Sequence, residues 1–199
     1  VFGIENLLAL TGDHTSVGDH PQAKPVFDLD SVSILKTAST LNAGTDSVGL
    51  ELQGKTNFYL GACVTPEYDP IEVQLLKMKK KIAAGAKFFQ TQAVYDIEHM
   101  RKFRELTKDL DCKILAGIVH LKSHGMAKFM TANVPGIFVP DDQIERLKAA
   151  GKGNYVQEGI KMAGEFIKQL KEENLCDGVH IMAIGAEENV PKILDEAGL

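Results

Sequence analysis

No GxGxxG turn occurs in this chain of 199 residues, and nothing glycine-rich follows its first apolar run, so the usual signature of a dinucleotide-binding open sheet is missing. Cysteine is scarce. Cys63, Cys112 and Cys176 are far apart and form no CxxC pair, which fits a reducing compartment and argues against a disulfide scaffold. Positive charge is not in surplus either: 22 Lys and Arg stand against 27 Asp and Glu, a net charge of -5. A basic footprint for nucleic acid is therefore absent, and the expected ligand is a small molecule or another protein. No apolar run approaches the length of a membrane span and the N-terminus carries no signal-peptide pattern, so the expected location is the cytoplasm.

What is present is a regular alternation. Leu7 to Leu10 reads as a short buried strand that stops at Thr11-Gly12-Asp13-His14 and delivers a carboxylate to its C-terminal end. A polar loop, 15–24, leads through Pro25-Val26-Phe27-Asp28-Leu29 into a helix that Asp30 can cap and Gly44 can end. After a connection over 46–56 comes a second strand, Phe58 to Val64, whose Gly61 and Ala62 would admit a close neighbour. Asp69-Pro70-Ile71-Glu72 has the form of a capped helix start, and the helix carries Lys77, Lys79, Lys80 and Lys81. Such a run is ordinarily a solvated face, and helical spacing lets at most two of the four serve one phosphate.

The third strand, 86–93, places Gln90 and Gln92 at alternate positions, odd for a strand buried on both sides. Asp96 caps a helix through Met100, Phe103, Leu106 and Leu110, and the fourth strand runs from Lys113 to Val119. His120 and His124 have a metal-like spacing, but Ser123 reads as a helix cap between them, so no metal site is expected. A short helix over 141–150 follows. Asn154 and Gln157 resemble a capping box opening the longest helix, with Val156, Ile160, Ala163, Ile167 and Leu170 as its apolar stripe. A fifth strand, Gly178 to Met182, and a helix from Val190 to Ala197 end the chain.

Strand followed by helix, five times over, predicts an α/β protein with parallel strands, either an open doubly wound sheet or a barrel. Polar residues near the strand ends (Asp13, Glu67, Gln92, His120 and Glu187) favour the (β/α)8 TIM barrel, where such ends build the site. Five units are three short of eight, and Val1 enters almost directly into a strand. The expectation is a single partial TIM-barrel domain over 1–199, about strands 4 to 8 with their helices, with the N-terminal strands missing.

At this point the residues resemble a known family, the flavin-dependent methylenetetrahydrofolate reductases, over nearly the whole chain. Leu10-Thr11-Gly12-Asp13 looks like the family's Leu-Arg-Gly-Asp turn. The lysine-rich helix with Ala84-Gly85-Ala86, and then Thr91-Gln92, looks like its Lys/Arg-rich helix, Ala-Gly-Ala and Thr-Gln strand. The resemblance implies FAD at the C-terminal mouth of the barrel, reducing 5,10-methylenetetrahydrofolate to 5-methyltetrahydrofolate in one-carbon metabolism. By that likeness Asp13 is catalytic and binds substrate beside the pterin, and Gln92 hydrogen-bonds the folate. Thr11, Gly12, Phe27, Asp28, Gln74, Lys77, Lys80 and Lys81 fall where the family contacts its cofactor.

The departures are Thr11 for the family's Arg, Gln74 for an Asp and Lys77 for an Asn. The connection over 46–56 and the ending Ala183-Ile184-Gly185-Ala186-Glu187-Glu188 look closer to versions from anaerobes with folate-based one-carbon pathways. That leaves the electron donor open between NAD(P)H and a partner subunit, and the assembly open between like and unlike chains. The family's general-acid Glu and its flavin-contacting His belong to strands not present here, so this chain alone is expected to be inactive. Two other readings stay open: a pterin-binding methyltransferase barrel without flavin, and a non-catalytic barrel subunit.

Overall fold

The computed structural model describes residues 3–199. Five strands, β1 (Asn6–Ala9), β2 (Tyr59–Val64), β3 (Phe88–Ala93), β4 (Lys113–Ile118) and β5 (Gly178–Ile181), form one sheet. Every neighbouring pair is parallel, and the spatial order is the chain order, β1-β2-β3-β4-β5. A doubly wound sheet reverses direction at a switch point and puts helices on both faces. This sheet never reverses, so the winding is that of a β/α barrel.

The helices are α1 (Ser31–Ala43), α2 (Ile71–Ala83), α3 (Ile97–Thr107), α4 (His124–Asn133), α5 (Asp141–Ala150), α6 (Tyr155–Glu172) and α7 (Val190–Ala197). They close over one face. Leu60, Ala62, Val64, Phe89, Ile114, Ala116 and Ile118 alternate along the strands into a buried core with Leu35, Met78, Phe103, Ile160, Ile167 and Ile193 from the helices. A second cluster joins α4 and α5 to Tyr95, Val119, Leu121 and Met162. Among the described residues no helix is long and apolar enough to cross a membrane.

Among the described residues, no helix covers the opposite face of the sheet. Register places Leu8, Gly61, Phe88 and Lys113 in one row across it, and Cys63, Gln90, Leu115 and Gly178 in the next. Part of it forms a concavity of about 550 Å³ lined by Asn6, Tyr59, Phe88, Gln90, Lys113, Leu115 and Asp177. Parallel sheets ordinarily have both faces covered. Here Tyr59 and Phe88 stack on each other instead, ring centroids 5.5 Å apart. The Phe88 ring lies where a Cβ on Gly61 would be, so the small residue expected to admit a close neighbour, ligand or backbone, admits a side chain from the next strand.

Local signals set several boundaries. Asp30 accepts from Ser33 N–H at 2.7 Å, Asp96 from Glu98 N–H at 2.7 Å, and Ser123 from Met126 N–H at 3.0 Å, so all three cap as expected. Two caps do not form. Pro70 occupies the N-cap position of α2 with no side-chain bond, which leaves Asp69 one residue too early. Asn154 turns back, its amide donating to the Ala150 carbonyl, and α6 begins uncapped at Tyr155. Leu106 and Val156, expected inward, are exposed, and Leu10 lies beyond the end of β1.

The residues Gly49-Leu50-Glu51-Leu52-Gln53-Gly54-Lys55-Thr56 do spell GxxxxGK[ST], but they lie between α1 and β2. A phosphate loop needs a strand before it and a helix after it. The order here is the reverse, and the segment is instead a turn in which Asp46 accepts from the Val48 and Leu50 amides, both at 2.9 Å.

Helix α6 comes so close to the β4–α4 loop that a methyl on Gly159 would overlap the Leu121 carbonyl oxygen. Backbone cannot yield as a flexible side chain does, so Gly159→Ala is expected to cost about 1–3 kcal/mol in urea denaturation. Lys161→Ala, one turn face away and exposed, should stay within about 0.5 kcal/mol. Equal stability of the two variants would contradict this packing.

Candidate active site at the strand C-termini

Because all five strands are parallel, the segments that follow them emerge at one edge of the sheet. Thr11, Gly12 and Asp13 follow β1 and are exposed. Turn-forming or capping is Asp's commonest work, but His14 does it here: its ring accepts from Ser16 N–H at 3.2 Å and opens a short 3-10 turn at Thr15–Val17. The His14 ring also stacks on Phe27, centroids 6.2 Å apart, which brings 11–14 together with 25–28. Phe27 is 76% exposed and Asp28 is exposed beside it.

Helix α2 divides the residues expected at a cofactor. Gln74 is buried and its side-chain carbonyl accepts from Thr65 N–H at 3.4 Å, so it holds the loop after β2 from within. Lys81 reaches into the sheet layer and donates to the Cys63 carbonyl at 2.8 Å. Burial is the main cause that lowers its pKa, with the charge of Lys77 acting in the same direction and that of Asp30 against it. Lys77 and Lys81 are therefore the electrostatic pair of the four lysines. Lys79 and Lys80 are exposed.

Gln92 is exposed near the end of β3, on a bulge. Gln90 pairs with Leu115 and Ala93 with Gly117, so β3 spends two residues, Thr91 and Gln92, opposite the single Ala116. The alternation that would put Gln90 and Gln92 on one face is broken there. The ladder bond from Lys113 N–H to the Lys87 carbonyl, continued four residues up each strand, would take Gly117 N–H to the Thr91 carbonyl. Instead Gly117 N–H donates to the Thr91 hydroxyl at 2.8 Å, and that hydroxyl donates to the Gln92 carbonyl at 2.6 Å. The displaced Thr91 carbonyl accepts from His180 Nε2 at 2.9 Å, across β4 from β5. A carbonyl only accepts, so Nε2 carries the proton.

Two polar strand ends expected at the mouth are buried. The Glu67 side chain is 2% exposed; one oxygen accepts from Phe138 N–H at 2.9 Å and the other lies 3.5 Å from His99 Nδ1. Burial is the main cause that lifts its pKa above the ordinary carboxylate value, opposed by the Phe138 amide and His99. His120 is 1% exposed, and burial likewise lowers its pKa. His124 begins α4 and packs edge-on against the Tyr155 ring, centroids 5.3 Å apart. Among the described residues no three His, Cys, Asp or Glu side chains gather as a metal site. Glu187 is exposed and accepts from Gly185 N–H at 3.1 Å.

Comparison with known proteins gives this mouth a context. The sequence profile of the family described as Methylenetetrahydrofolate reductase matches residues 1–198. The "Methylenetetrahydrofolate reductase 2" of Schizosaccharomyces pombe is 26% identical over 213 residues, taking in 100% of this chain and 32% of its own length. The "5,10-methylenetetrahydrofolate reductase" of Escherichia coli K12 is 24% identical over 191 residues, 88% of this chain and 55% of its own. The chain thus spans about half of the bacterial relative and a third of the yeast one.

The buried Glu67 makes stability depend on pH. A carboxyl whose folded pKa stands above its unfolded value of 4.5 holds its proton more tightly in the folded state, so its contribution falls as pH rises from there through the folded value. The unfolding free energy of the wild type relative to Glu67→Gln is expected to decline over that rise. Denaturation of both proteins at stepped pH checks it, and a flat or climbing difference would contradict it.

Proposed function

This chain belongs to the methylenetetrahydrofolate reductase family, and we propose that its strand-end mouth forms part of a flavin site where 5,10-methylenetetrahydrofolate is reduced to 5-methyltetrahydrofolate. The observation that carries the reading is the placing of Asp13 just after β1 and of Gln92 near the C-terminal end of β3, parallel strands of one sheet, each residue exposed, within a chain matched by the family over 1–198.

The residues suit FAD chemically. Phe27 offers an exposed ring to a planar heterocycle, Gly12 has nothing within 4 Å of where a Cβ would stand, and Lys77 and Lys81 supply cationic charge for a diphosphate. Thr11 and Asp28 flank that edge, and Lys80 is exposed on the same helix. Gln74 serves from behind, holding the Thr65 amide. A bound flavin would supply the hydride that the methylene carbon of the folate accepts.

Asp13's part is electrostatic. The reactive form of the folate is the cationic iminium, and a fixed carboxylate beside the pterin favours it over the closed ring. Gln92, with an acceptor and two donors on one amide, reads the pterin edge by hydrogen bonds. The proton donor is proposed to lie outside these 199 residues, which on that reading are inactive alone. The uncovered sheet face is where further strands of a barrel would pack. The electron donor, NAD(P)H or a partner subunit, is left to experiment.

In the protein as the cell makes it, Asp13→Asn is expected to lower turnover of methylenetetrahydrofolate on the order of a hundredfold while the bound flavin's absorbance stays. Gln92→Ala should weaken folate binding on the order of tenfold, again with flavin retained. Turnover of Asp13→Asn within twofold of wild type would contradict the electrostatic role. A colourless protein that binds folate would favour a methyltransferase, and one that binds neither would favour a non-catalytic subunit.

A further inference from the structure

We infer that His180 is a positioning residue for Gln92: its Nε2–H holds the Thr91 carbonyl, and through it the bulge that presents the Gln92 side chain at the mouth. The inference rests on the reading of Gln92 as a folate contact, but its geometry stands without it.

The argument begins with what a bulge costs. Inserting a residue into β3 displaces the Thr91 carbonyl from the ladder bond it would accept from Gly117, and a buried carbonyl without a donor is expensive. Thr91 is itself 3% exposed, so water is a poor substitute. Its hydroxyl solves half of the problem by standing in for the carbonyl, taking the Gly117 N–H. The other half is solved from β5. His180 pairs in register with Gly117, so both lie on the same face, and the imidazole passes over the glycine to reach β3.

That passage needs Gly117. A Cβ there would stand 2.5 Å from the Thr91 carbonyl oxygen, 2.7 Å from the Gln92 carbonyl oxygen and 2.9 Å from His180 Nε2. The three groups that define the bulge thus converge on the space a side chain would fill. The peptide before Gln92 is fixed by His180 and the one after it by the Thr91 hydroxyl, so both ends of the residue are tied while its side chain stays exposed. Removing His180 releases the first tie and lets the ladder revert to direct pairing of Gly117 N–H with the Thr91 carbonyl. The extra residue is then expelled and Gln92 moves.

His180→Leu and His180→Gln separate positioning from bulk, since the glutamine amide keeps an N–H donor at about the reach of Nε2. In the flavin-loaded protein as the cell makes it, His180→Leu is expected to raise the Kd of 5-methyltetrahydrofolate and the KM of methylenetetrahydrofolate at least fivefold. His180→Gln should restore both to within twofold. Combined with Gln92→Ala, His180→Leu should add no further loss, because both act through one side chain. Additive losses, or an unchanged Kd in His180→Leu beside a raised one in Gln92→Ala, would overturn the inference. Should Gln92→Ala leave folate binding unchanged, the functional reading falls instead. The clamp is then judged by hydrogen exchange: the Gln92 amide is expected to exchange at least tenfold faster in His180→Leu, with the Gly117 amide, which has an acceptor in either pairing, and the α3 amides unchanged. Unaltered exchange at Gln92 would overturn it.

Discussion

A parallel strand can reach its neighbour only through a crossover, and in this chain each crossover brings the next strand in beside the last, with the helices packed on the same face. That constraint sets nearly everything else. It puts the apolar residues of alternate positions into one core with α1, α2, α3, α6 and α7, and leaves the other alternate set on an uncovered concave face. It also gathers the strand C-termini along one edge, so residues far apart in sequence, Asp13 and Gln92 among them, lie toward the same end of the sheet. Helix packing supplies the stability. The mouth is its by-product, free to carry polar residues because the strands' buried faces lie below it.

The bulge in β3 is where the regular ladder gives way to a specific arrangement. Thr91, Gly117 and His180 are each ordinary residues for a strand, and none carries charge that would mark a site. Together they move one carbonyl out of the ladder and give it a new donor. The rim shows the converse. Glu67 and His120 have the chemistry of site residues, yet the connection between α4 and α5 covers Glu67 through the Phe138 amide, and neighbouring segments bury His120.

These contrasts explain how much could be read from the chain. The five strands and the helices between them were legible because apolar period and local caps act over a few residues, as Asp30, Asp96 and Ser123 show by bonding amides two or three positions on. The caps expected at Asp69 and Asn154 failed for equally local reasons, a proline taking the N-cap position and an amide finding the Ala150 carbonyl. Single winding was favoured by the pattern of strand ends but fixed only by register. The bulge was not legible, since it depends on contacts from Thr91 to Gly117 and His180 that no periodicity reports. Gly117 within a strand and a histidine two residues after Gly178 were the available signals. The family resemblance carried the assignment of Asp13, Gln92 and the α2 residues, and the structure adds that Gln74 faces inward while Lys81 is already engaged with Cys63.

The most direct test of the central claim, that folate binds at the common mouth of these parallel strands, is hydrogen exchange of the whole protein with and without 5-methyltetrahydrofolate. The account predicts protection concentrated at 11–14 and 91–94, with the turn over 46–56 at the opposite end of the strands unchanged. Protection confined to that turn, or none at either strand end under saturating folate, would contradict it.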